Sequence, residues 1–80
     1  MHNMMDVIRD LVVFVKPPLK NTIFDNDTSF WDLGFTTLDY SKLVLCIEAS
    51  YEINFVECIR RDYYQVDSVS KICDKLMQIV

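Results

Sequence analysis

Gly34 is the only glycine in the chain, and its setting fixes where the backbone can turn sharply. It closes the run Asp32-Leu33-Gly34, and Phe35 then leads into Thr36-Thr37, which opens an apolar-periodic stretch reaching about Tyr51. Glycine adopts left-handed backbone without steric cost, and threonine is a good helix N-cap. The order glycine, threonine pair, apolar stripe therefore predicts a loop that ends and a helix that begins. At about 100° per residue, Tyr40, Leu43, Val44, Ile47 and Tyr51 gather on one side as a core stripe. Leu38 and Leu45 point the other way, flanked by Lys42, Glu48 and Ala49. They are either covered by the preceding loop or open to a partner. Thr36 is expected to cap the helix, with Asp39 favourable to the helix dipole.

The rest of the chain supplies further helices. Met4 to Lys16 has apolar residues at Met4, Ile8, Leu11 and Val15, widened by Val7, Val12 and Phe14, which is helical spacing. Asn3 is the expected N-cap, Asp6 suits the first turn, and Pro17-Pro18 end the helix. Leu19 to Phe35 forms a long connection. Ile23, Phe24, Phe30, Trp31 and Leu33 give it enough apolar area to pack across a helix pair. Its expected exposed turn is Asp25-Asn26-Asp27, which lacks the alternating ligand spacing and closing glutamate of a calcium loop. Ile53-Asn54-Phe55 is expected to be extended or turn-like, and Val56 to Asp62 to form a short helix around Cys58 and Ile59. Tyr63-Tyr64 is either buried or part of a ligand rim. Asp67 or Ser68 caps the last helix, whose stripe is Val69, Ile72, Cys73, Leu76, Ile79 and Val80.

Composition narrows the class. One glycine and two prolines leave little material for turns, which disfavours an all-β domain. Hydrophobic residues make up 51% of the 80, enough for a packed core in a chain this short. The expected architecture is one all-α domain over residues 1–80: a small four-helix bundle with a long first loop and a short third helix. A net charge of −4 argues against nucleic acid and makes basic partner surfaces the better electrostatic match. Cys46, Cys58 and Cys73 show no Cys-x-x-Cys pair and fit neither a zinc site nor a disulfide framework, so reduced thiols are expected. The sole histidine is His2, and no nucleophile–base constellation is legible, so the chain is not expected to be an enzyme. No signal peptide is visible, and the longest apolar run, Leu11 to Val15, is too short to span a membrane. A cytoplasmic monomer is expected.

Asp32, Leu33, Gly34, Leu38 and Asp39 match the attachment signature Asp-Leu-Gly-x-Asp-Ser-Leu-Asp, with Thr36-Thr37 in place of its central Asp-Ser. The segment Phe30 to Phe55 resembles the corresponding part of an acyl carrier protein. Tyr51-Glu52-Ile53-Asn54-Phe55 is similar to that family's exit from helix two, and Val66-Asp67-Ser68-Val69 is similar to the approach to its last helix. The resemblance implies a four-helix carrier fold over nearly the whole chain. It makes Thr37 the attachment residue for 4'-phosphopantetheine, whose terminal thiol would hold acyl or aminoacyl groups as thioesters. By position, Leu38 and Leu45 would be apolar docking contacts and Glu48 an acidic one, while Lys42 and Ala49 stand where the family commonly has acids. The implied partners are a phosphopantetheinyl transferase and acyl- or aminoacyl-handling enzymes. The alternative is a carrier-shaped protein that is never modified and docks on an enzyme or regulator through helix two.

Overall fold

Asn3 starts the first helix as the sequence predicts: its side-chain oxygen accepts from the Asp6 N–H at 2.9 Å, relieving one of the unpaired donors of a helix start. The computed structural model describes residues 3–79; His2 and Val80 lie outside the described residues. Four α-helices carry the fold: α1 (Met4–Val15), α2 (Thr37–Tyr51), α3 (Phe55–Ile59) and α4 (Val69–Ile79). Two short 3₁₀ stretches, Pro17–Asn21 and Arg60–Gln65, join them, and no strand occurs among the described residues.

One core draws on all four α-helices. Ile8 and Val12 come from α1, Tyr40, Leu43, Val44 and Ile47 from α2, Phe55 and Ile59 from α3, and Val69, Ile72, Cys73 and Leu76 from α4. The long connection between α1 and α2 is not idle chain, because Leu19, Phe24, Phe30 and Phe35 are buried in the same cluster. Trp31 and Leu33 pack against it half-buried. Arg9 fastens this connection to α1: its guanidinium lies 4.2 Å over the Phe24 ring and donates to the Phe24 carbonyl and to Asn26 Oδ1. The far end is tied to the start of α4, where the Phe30 N–H donates to the Asp67 carbonyl at 2.7 Å and the Ser29 hydroxyl to Asp67 Oδ2 at 2.8 Å.

Several expectations need correcting. Phe14 does not widen the core stripe; it is 73% exposed, because its place on the helical wheel falls well away from Ile8 and Val12. Ile23 does not pack across the helices either, and stands fully exposed just beyond the 3₁₀ turn that buries Leu19. Helix α1 stops at Val15, with Lys16 in non-helical backbone as its C-cap. Ile53 and Asn54 are non-helical as expected, but Phe55, read with them as extended or turn-like, is the first residue of α3 and fully buried; α3 itself ends at Ile59 and tightens into the 3₁₀ stretch. Tyr51 is only half-buried, and Ile79 lies at the exposed end of α4. Of the two cap candidates for α4, Ser68 takes the role as expected, accepting from the Lys71 N–H at 3.2 Å, while Asp67 pairs with Lys71 Nζ at 3.0 Å. The three thiols are free, with Cys73 buried, Cys46 intermediate and Cys58 exposed.

Candidate functional site

The turn before α2 is built from its own backbone. Leu33 N–H donates to Phe30 O, Gly34 N–H to Trp31 O and Phe35 N–H back to Phe30 O, with Gly34 at φ +86°. A side chain at Gly34 would find room, its Cβ meeting Lys16 Cε at an ordinary 3.7 Å. Conformation, not space, demands glycine there.

Thr36 and Thr37 take different roles. Thr36 is the N-cap in extended backbone and forms a reciprocal capping box: its hydroxyl accepts from the Asp39 N–H at 3.1 Å, and its own N–H donates to Asp39 Oδ2 at 2.9 Å. Lys16 Nζ reaches the same carboxylate oxygen at 3.3 Å, joining the end of α1 to the start of α2. The Thr36 N–H first, and Lys16 with it, hold the Asp39 carboxyl below its ordinary range. Thr37 is the first helical residue and is exposed. Its hydroxyl makes no hydrogen bond among the described residues.

The predicted docking residues separate. Leu38 and Leu45 are each 63% exposed and Lys42 is exposed, so the loop does not cover them. Glu48 is half-buried, and its Oε2 accepts the Val56 N–H at 3.1 Å, serving the first turn of α3 across the bend. Leu45→Ala should therefore shift unfolding free energy by less than about 0.5 kcal/mol, measured by urea denaturation. A loss of about 2–5 kcal/mol would mean a buried leucine.

Around Tyr40 lies an aromatic group that local sequence could not reveal. Ser41, one turn on, has its Oγ 3.5 Å from the Tyr63 hydroxyl. Tyr63 stands edge-on to Tyr40 with centroids 5.0 Å apart, and Tyr64 contacts Trp31, Tyr40 and Tyr63. The pair is thus split, Tyr63 half-buried and Tyr64 exposed. An open depression of about 330 Å³ between the second 3₁₀ stretch and α4 is lined by Asp62, Gln65, Val66, Lys71, Asp74 and Lys75, and takes no residue from α2. Comparison of the chain with protein-family models, curated proteins and solved structures gave no match.

Proposed function

We propose that this chain is an acyl-carrier-like domain whose Thr37 hydroxyl is the attachment point for phosphopantetheine. The observation that carries the reading is the division of labour at the start of α2. Thr36 spends its hydroxyl on the cap, while Thr37 presents an exposed hydroxyl at the first helical position behind a glycine turn. An attached phosphate at a helix N-terminus is favoured by the dipole and by the N–H groups of the first turn. The arm, when bound, supplies the thiol that carries cargo as a thioester; the chain itself holds the hydroxyl and offers a surface for enzymes to grip. The four-helix order, the long packed first connection and the exposed Leu38 and Leu45 all suit that role.

Coexpression with a broad-range phosphopantetheinyl transferase tests it by intact mass. The expected result is a gain of one arm, mapped to Thr37 by fragmentation and absent from Thr37→Ala. If neither the natural chain nor Thr37→Ser gains mass, the carrier reading fails. The exposed leucines then favour the second reading, an unmodified domain that docks through α2.

A further inference from the structure

We infer that the outer strip of α2 receives a partner helix whose apolar side chains are flanked by carboxylates, selected by Lys42. This rests on the docking half of the reading above and names the partner's chemistry. Leu38, Lys42, Leu45 and Ala49 follow at i, i+4, i+7 and i+11, a single line along three turns. All four are exposed. The two carboxylates within α2 itself are committed inside the fold, Asp39 to the Thr36 N–H and Lys16 and Glu48 to the Val56 N–H, and the next acid, Glu52, is the C-cap beyond the end of the strip. Lys42 has no ion-pair partner among the described residues. What the strip presents is therefore two leucines with an amine between them.

Geometry and charge then narrow the occupant. Residues seven apart on a helix are about 10.5 Å apart along its axis, so leucines seven apart on a facing helix match Leu38 and Leu45 in register. A second copy fits poorly, because a two-fold axis through the strip sets two Lys42 amines against each other. The net charge of −4 attracts cations at long range. At physiological salt, however, screening acts over about 8 Å and leaves the strip's own charge to choose the partner.

Two labelled synthetic helical peptides test this against the chain expressed without a transferase, by fluorescence anisotropy at physiological salt. Both carry leucines seven apart; one flanks them with glutamate, the other with lysine. The glutamate peptide should bind about two- to five-fold more tightly, the range of one exposed ion pair. Lys42→Glu should invert that order, and Leu45→Ala should weaken both peptides about tenfold with an unchanged thermal melt. Equal or tighter binding of the lysine peptide, an order unmoved by Lys42→Glu, or binding of neither peptide overturns the proposal. None of these outcomes depends on loading at Thr37, so the docking and attachment readings fail separately.

Discussion

Thr37→Ser is expected to raise the rate of phosphopantetheine loading by about 100-fold or more. The physical reason is the γ-methyl, which sits on the same carbon as the nucleophilic oxygen, crowds it and restricts its rotamers. A transferase pocket that must align that oxygen loses rate steeply with small misplacement, about 100-fold for 1 Å. The substitution leaves the helix start intact, because the cap belongs to Thr36 and the Thr37 side chain makes no hydrogen bond among the described residues. Initial rates of mass gain for the two proteins, at equal transferase and coenzyme A, check the prediction. Equal rates would show that the methyl is no obstacle. Restoring the acid as well, in Thr36→Asp with Thr37→Ser, keeps an N-capping side chain and tests whether the transferase also needs a carboxylate there.

Removing the Tyr40 side chain is the second large change. Tyr40 is fully buried, its ring touches Phe30, Trp31, Tyr63 and Tyr64, and its hydroxyl faces the carbonyls of Tyr63 and Val66, the latter at 2.7 Å. Tyr40→Ala should cost about 3–5 kcal/mol, a large part of what holds a domain of this size together. Tyr40→Phe keeps the ring but leaves buried carbonyls short of a donor, and should cost about 1–3 kcal/mol. Burial pushes the Tyr40 phenol above its ordinary range. Its neutral form is thus favoured by folding: the stabilisation is complete below the unfolded pKa of about 10 and is lost as pH rises beyond it. Urea midpoints measured from about pH 9 to 11 should fall more steeply for the natural protein than for Tyr40→Phe. Parallel slopes would refute the assignment.

Local signals were legible where they sufficed. Asn3 and Thr36 were recognisable as caps because a cap is a side chain bonding to backbone three residues away. The core face of α2 followed from its period, since Tyr40, Leu43, Val44 and Ile47 are the residues it buries. The failures mark where hydrophobicity was read without geometry, or where the deciding partner is remote. Phe14 and Ile23 are apolar but stand on sides that none of the described residues covers. Glu48 looked like a surface acid, and only the bend that returns α3 beneath it gives it the Val56 N–H. The Lys16–Asp39 pair spans 23 residues and the Tyr40–Val66 bond 26, separations at which no periodicity carries information. For the same reason the candidate site was half-visible. Thr37 and the leucine strip lie within one helix, whereas Ser41 and Tyr63 meet only after the chain has folded back.

Trp31 is the only tryptophan, and its indole N–H donates to the Tyr64 carbonyl at 3.1 Å while its ring lies 5.3 Å from that of Tyr40. It bridges the connection before α2 to the 3₁₀ stretch before α4, within reach of excitation transferred from three tyrosines. The protein thus carries its own optical gauge. Emission excited through tyrosine rather than tryptophan will report, without any label, whether those two segments stay closed under the proposed attachment at Thr37 or the proposed docking of a helix on α2.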